Sequence, residues 1–585
     1  MKTTEGEPQP SDFYRYTFYL PPSATGCRIS EKSLVDEMDP TRPPPDMALV
    51  ALSSFGAPGQ YQTLGCVIYA QRDLKNVRAE VSDLAMGSAK ISRKMMEIRY
   101  GMRIAKRKRY SFPPSQNLVT TYFLRTFNCL DIPENHFREI YFTLKIPEDA
   151  LAGIYQGKIN ISAENMESSS IGLSMEVFPF KLRLAPDKKY GMYYNLTVKG
   201  KFKEKDAIAR EIQDLTEHDI QCIYDAGLRP EHRLDTDGNI VSDFEKIEQS
   251  LQILRENHFR GMVIMDPGLL KLAELAGKAR HGVAAKLPAD EAGKKRFAEN
   301  ILGDAFFLKT AKNAMAHLKA IQKKYPELEL TLTQLDEVFN DGRLPVYVAL
   351  TKAAKQVDGF KYYITFHMLN EKADGMRKEM APHVDIGCLH MYSWEWWLAR
   401  GHTAEEYRGE LKKNHSLAAA YYNPVGVYYT AKWYRLIMGL ENWQSPFAWH
   451  LPWKYDSKKG DPFNDLDGAM GDHIFGFYSK EDESLVSTRI WEGFREGVTD
   501  LKYIHTLEEL IKEKKPGEAV RKAQAYLEQI RGKLAVPSNL PHDDPKWIGT
   551  RRECPYTAAM ADQFSAEDLQ NIRCLIARRI EELLK

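Results

Sequence analysis

The chain has 585 residues, 43% hydrophobic and 28% charged, with a formal net charge of +1. That length exceeds one compact core and predicts several domains, while the balanced charge supplies no general field for nucleic acid or an anionic membrane. Seven scattered cysteines form no CxxC pair or Cys/His cluster, and no stretch reaches the roughly 20 apolar residues of a membrane span, so no disulfide framework, metal, cofactor or membrane span is expected.

The opening segment, Met1–Pro10, lacks the apolar core of a signal peptide. It fits a cytoplasmic protein or an exported one whose leader has been removed. Residues 1–187 then read as an N-terminal antiparallel β-sandwich. Alternating runs such as Gly65–Ala70, Glu139–Lys145 and Gly157–Ser162 are punctuated by Pro and Gly. Ile146–Gly157 reads as a turn, Leu173–Phe180 as the last strand and Lys181–Lys189 as a linker. The basic run Arg103–Arg109 has no interleaved aromatics, and predicts a solvated strand edge or loop rather than a nucleic-acid site.

Over residues 188–505 short apolar strands alternate with charged amphipathic helices. The candidate strands are Tyr190–Asn195, Ile220–Tyr224, Gly261–Met265, Leu328–Thr333, Tyr362–Phe366, Val384–His390, Leu417–Tyr422 and Pro446–Trp449. This rhythm predicts a (β/α)8 TIM-like barrel. A doubly wound open sheet is the alternative, but no GxGxxG or GxxxxGK[ST] loop follows any strand. Residues 506–585 form a C-terminal helical extension, with Ser565 and Asp568 spaced as a capping box.

In such a barrel, functional residues occupy the C-terminal strand ends. In order these ends offer Tyr193, Tyr194 and Asn195; Asp266; Gln334, Asp336 and Glu337; His367; His390, Tyr392, Trp394, Trp396 and Trp397; Tyr421, Tyr422 and Asn423; and Trp449, His450 and Trp453. Hydrolysis of a glycosidic bond needs an acid for the leaving oxygen and a group that manages oxocarbenium-like charge. Asp336-Glu337 is the one adjacent Asp-Glu pair at these ends. It also reads as a solvated pair opening a helix. Neighbours on a strand point to opposite faces, but at a frayed end both can reach one pocket at different heights. That suits a substrate-assisted route, with Glu337 protonating the leaving group and Asp336 accepting from a 2-acetamido N–H. Tyr193, Asn195, His390, Tyr392, Trp394, Tyr422, Asn423, Trp449 and Trp453 are the candidate sugar contacts, since flat rings stack on pyranose faces. Two or three of the five tryptophans Trp394, Trp396, Trp397, Trp449 and Trp453 are expected to be core. Asp461–Asp467 reads as an ordered turn rather than a calcium loop.

Taken together, these segments resemble glycoside hydrolase family 123 and the wider group of bacterial proteins that share its catalytic domain. The resemblance rests on Thr331–Glu337, Arg435–Gly439 with Trp449, Ser487–Asp500 and the turn Pro147–Gly157. It implies a β-sandwich followed by a barrel, and retaining N-acetyl-β-galactosaminidase activity assisted by the substrate's acetamido group. On that resemblance Asp336 orients the acetamido group and Glu337 is the acid/base. Tyr392 adds a hydrogen bond to the acetamido group, and Trp449 or Trp453 is the stacking floor. Arg489, Glu492, Arg495, Glu496 and Asp500 are structural. The expected partner is a glycan or glycoconjugate. A glycosidase for a sugar without an acetamido group and a catalytically silent carbohydrate-binding protein stay open.

Overall fold

The computed structural model of the chain describes residues 26–38, 49–107, 117–282, 286–339, 342–366, 371–399, 402–413, 417–422, 430–458, 460–467, 472–534 and 560–585. Eight parallel strands close into a barrel: Lys189–Tyr193, Ile220–Tyr224, Gly261–Met265, Leu328–Leu332, Lys361–Phe366, Ile386–His390, Leu417–Tyr421 and Trp449–His450. Side-chain alternation separates two cores. Tyr190 and Met192 of the first strand, and Tyr194 directly after it, pack outward with the helices, whereas Tyr193 joins Tyr224, Tyr363 and Tyr421 inside.

The outer helices follow the amphipathic pattern. Ala305–Lys324 begins where Asp304 accepts from the backbone N–H of Phe306 and Phe307, and it buries Phe307, Ala311, Ala314, Met315, Leu318 and Ile321. That spacing is one helical face, turned to the barrel. Among the described residues no helix is long and apolar enough to cross a membrane.

The N-terminal region consists of two sheets around a shared core, with Ile68 and Phe142 from one and Ile159 and Ile171 from the other. The strands Gly476–Ser479 and Ser484–Thr488, placed by sequence with the barrel, extend the first of these sheets. Ser487 and Thr488 pair with Leu124 and Phe123. The expected solvated basic edge is corrected at two positions. Arg103 is buried with its guanidinium 3.3 Å from the Phe137 ring centroid, and Lys106 is buried in an ion pair with Asp465 at 2.8 Å. This strand is covered on both faces, so its cations need partners. Residues 108 and 109 of the run lie outside the described residues.

The long helix Arg489–Glu513 joins the two parts through buried charges. Arg99 reaches Glu492 at 2.6 Å, and Arg495 also pairs with Glu492. Asp500 binds Arg435 at 2.7 Å and Arg573 at 2.6 Å, and Arg573 reaches Glu496 at 2.6 Å. Burial opposes ionisation of Glu492, but Arg495 and Arg99 hold its carboxyl well below the usual carboxylate range. Arg573 belongs to the helix Ala566–Leu584, whose Ser565–Asp568 capping box is formed.

Candidate active site

Thr365 lies on the inner face of its strand, in step with Tyr363, and is 1% exposed. Its hydroxyl donates to Asp336 Oδ1 and accepts from the Glu337 backbone N–H at 3.1 Å. One hydroxyl therefore ties both members of the acidic pair to the barrel. Glu337 adopts φ 47°, in the left-handed region. The turn breaks strand alternation at the pair. Arg343 donates to the Asp336 carbonyl oxygen at 2.9 Å, fixing the loop from its far side.

The Tyr421 hydroxyl donates to Glu337 Oε1 at 2.7 Å. Burial first, then Glu337, lifts the Tyr421 phenol well above its ordinary value, so it stays protonated and donating at neutral pH. Below the pair, the Tyr193 and Tyr224 ring centroids are 4.4 Å apart, and the Tyr193 and Tyr363 hydroxyls are 3.1 Å apart. Burial, with Asp336 adding to it, also keeps Tyr193 and Tyr224 neutral. The result is an aromatic floor closed by packed phenols beneath two carboxylates.

Of the expected sugar contacts, Tyr193, His390 and Trp453 gather around this floor. His390 meets the Tyr421 ring edge-on at 4.7 Å. Trp453 is half-buried, level with the top of the seventh strand through its backbone N–H, which donates to the Tyr422 carbonyl oxygen at 2.8 Å. Asn195 lies beside it, on a cavity of about 960 Å³ shared with Asp266 and Gln334. Burial pushes the Asp266 carboxyl up to about 6, against the pull of the Gly268 N–H that it accepts at 2.8 Å.

Three expectations are corrected. Trp394 is buried outside the barrel against Tyr407 and Phe447, because its helix turns that ring into the outer core. Tyr422 faces outward and its hydroxyl meets Met438 Sδ at 3.2 Å, because inward-facing Tyr421 takes the other side of the strand. Trp449 is inside but low. It pairs in register with Lys189 and Ala419, and the Lys189 ammonium lies 5.3 Å from its ring centroid, so it fills the barrel base. Asn423 and His367, and the side chain of Tyr392, lie outside the described residues. The sequence reading missed Thr365, a polar residue on the inner face of an otherwise apolar strand, and chose the wrong neighbour at Tyr421.

Among the described residues no group of three His, Cys, Asp or Glu side chains is placed to hold a metal. In the acidic segment 461–467, Asp461 accepts from Phe463 N–H and Asp467 from Asp461 N–H, which is turn geometry.

Residues 61–163 match the glycoside hydrolase 123 N-terminal domain. The whole fold is similar to a family 123 glycoside hydrolase from Clostridium perfringens, described for glycolipid glycan hydrolysis. The TM-score is 0.68 at 12% identity, covering 96% of this chain and 100% of that one. A family 39 glycoside hydrolase from Bacteroides cellulosilyticus WH2 aligns at 0.34 and 10% identity over 77% of this chain and 81% of its own. An endo-1,4-β-mannanase from Rhizomucor miehei aligns at 0.31 and 10% identity over 47% and 88%. No curated protein sequence matches the chain. The likeness to family 123 thus holds in sequence over residues 61–163 and, across the rest of the chain, in the fold.

Proposed function

We propose that the chain is a glycoside hydrolase of the retaining N-acetyl-β-hexosaminidase type, preferring galactosaminides and using the substrate's own 2-acetamido group as nucleophile. The observation that carries this reading is the shared anchoring of Asp336 and Glu337 on the Thr365 hydroxyl, above an aromatic floor. Adjacent acidic residues tied to one hydroxyl, Asp336 through its carboxylate and Glu337 through its backbone N–H, suit two different tasks on one sugar better than attack from opposite faces.

In the first step the acetamido oxygen attacks the anomeric carbon as the glycosidic C–O bond breaks. Glu337 transfers its proton to the departing oxygen. Asp336 accepts a hydrogen bond from the acetamido N–H; its carboxylate has lone pairs beyond the one used by Thr365. That contact strengthens as positive charge builds on the oxazolinium ring. Water then attacks the anomeric carbon and displaces the acetamido oxygen, which regains the bonding pair and restores the acetamide; Glu337 takes the water's proton, and the two inversions leave the configuration retained. Tyr421 orients Glu337 throughout. Trp453 offers a face to the sugar ring.

The test is hydrolysis of 4-nitrophenyl N-acetyl-β-galactosaminide, N-acetyl-β-glucosaminide, β-galactoside and β-glucoside, with Glu337→Gln as control. Turnover of the acetamido sugars alone, impaired in the variant, is expected. Turnover of the 2-hydroxy sugars alone removes substrate assistance. Saturable sugar binding without turnover makes the chain a binding protein.

A further inference from the structure

Trp453 belongs to the segment that leaves the top of the eighth strand and returns at Gly476–Ser479. On the barrel side its neighbours are tied down. The Tyr455 N–H donates to the Tyr193 carbonyl oxygen at 3.0 Å, and Lys203, in the loop after the first strand, holds Asp456 at 2.8 Å. Asp456–Ser457 then pairs antiparallel with His473–Ile474, and the His473 ring meets Trp453 at 4.5 Å, inclined by 76°. The seat of Trp453 therefore depends on where His473 is held.

The groups that hold it come from the N-terminal sheets. On the strands Met96–Arg107 and Asn117–Arg125, Met102, Ile104, Tyr122 and Phe123 share a core with the outer face of the barrel. The Tyr122 hydroxyl donates to the carbonyl oxygen of Ile474, the residue after His473, at 2.9 Å. The Lys106 ammonium lies 4.4 Å from the Tyr122 ring centroid, and donates to Asp465 Oδ1 at 2.8 Å and to the Asp472 carbonyl oxygen at 3.3 Å. Asp465 Oδ1 also accepts the Asp472 N–H at 2.6 Å, so one lysine gathers two turns of the segment just before His473. Phe463 adds an apolar tie, edge-on to Phe123 at 5.2 Å. The Lys106 and Asp465 side chains are only 4% and 2% exposed. Desolvating both charges offsets much of their attraction, so such a pair supplies fixed geometry more than net stability.

We propose that Lys106, a residue of the N-terminal sheets, is a positioning residue for sugar binding: through Asp465, Asp472 and His473 it sets the Trp453 ring against the substrate. The inference rests on the glycosidase reading, in which Trp453 offers its face to the sugar. It makes the N-terminal sheets part of the binding site without their touching the substrate. A stacking ring that shifts out of contact loses dispersion attraction across its whole face. Stacking acts on the bound sugar before and during the reaction alike, so weakening it raises KM and leaves kcat in place. A role confined to stability would lower the folded fraction, and with it the apparent kcat, without moving KM.

Two measurements test the proposal. In the first, Lys106→Met is compared with the wild type on 4-nitrophenyl N-acetyl-β-galactosaminide. KM is expected to rise about three- to tenfold with kcat held within about twofold, the scale of one aromatic contact. In a Trp453→Ala background the same change should add no further rise. An unchanged KM, or an equal rise with Trp453 absent, overturns the proposal. The second needs no turnover: the fluorine NMR spectrum of protein labelled with 5-fluorotryptophan, where the Trp453 resonance is assigned by its loss in Trp453→Phe. A shifted or broadened Trp453 resonance in Lys106→Met is expected, and an unmoved one overturns the proposal. Asp465→Asn and Tyr122→Phe loosen the same segment, and serve in both measurements if Lys106→Met does not fold. A wild type inactive on this sugar removes the proposed activity, and the resonance then decides alone whether Lys106 positions Trp453.

Discussion

The helix seam between the N-terminal sheets and the barrel is as polar as the barrel mouth, but the two regions treat their polar groups in opposite ways. At the seam every carboxylate described is matched: Glu492 by Arg99 and Arg495, Asp500 by Arg435 and Arg573, Glu496 by Arg573. At the mouth Gln334 is buried with no side-chain hydrogen bond among the described residues and the buried Asp266 accepts from the Gly268 N–H, while Thr365 and Tyr421 hold the acidic pair. Paired charge builds a joint. Polar groups held short of partners at a strand end are what a substrate can satisfy.

The largest effect that could break this contrast is at Glu337. Glu337→Gln should lower turnover of sugar leaving groups by about 10²–10⁴-fold, the usual range for general acid catalysis. Activated aryl substrates should lose much less, as steady-state kinetics on both would reveal, and equal losses would separate Glu337 from protonation. At the seam, Glu492→Ala leaves buried arginines uncompensated and should cost about 3–5 kcal/mol in urea unfolding. A change under about 1 kcal/mol would mean that the joint does not depend on its charges.

A smaller effect is expected at Thr365. Thr365→Val keeps the shape but removes the hydroxyl held by Asp336 and the Glu337 N–H, and should reduce kcat/KM by roughly 10–100-fold, equivalent to about 1–3 kcal/mol. Wild-type kinetics would show that the pair is positioned without it. The smallest effect separates the regions by pH. Glu492, held low by arginines, contributes stability above the ordinary carboxylate range that is lost as pH falls. Asp266 is raised from 3.8 to about 6, so its contribution is present below pH 3.8 and lost as pH rises through about 6. Asp266→Asn should therefore gain on the order of 1 kcal/mol relative to wild type at pH 8 compared with pH 4. Thermal unfolding at the two pH values checks the sign.

Much of the frame was legible because apolar runs and charged helices alternate so regularly: all eight barrel strands fall at or beside the positions expected from the sequence. The acidic pair stood out at a strand end by residue type. Facing was harder. In Leu417-Ala-Ala-Ala-Tyr-Tyr422 the alanines give no contrast between faces, so nothing local tells Tyr421 from Tyr422. Trp449 and Trp453 differ in height, which depends on strand register around a closed barrel rather than on either residue. Thr365 and Gln334 are ordinary residues whose meaning comes from what surrounds them. The burial of Arg103 and Lys106 escaped a charge-based reading because their covering residues, such as Asp465, come from far along the chain.

The pairing of Ser487 and Thr488 with Phe123 and Leu124 has a consequence during synthesis. The ribosome completes residues 117–125 long before it makes their downstream neighbour, so the nascent chain carries an unpaired sheet edge while the barrel is being translated. Such an edge invites association with other chains until it is covered. A fragment ending at residue 187 never receives its covering strand and should aggregate, whereas a chain that reaches residue 488 can close its own first sheet.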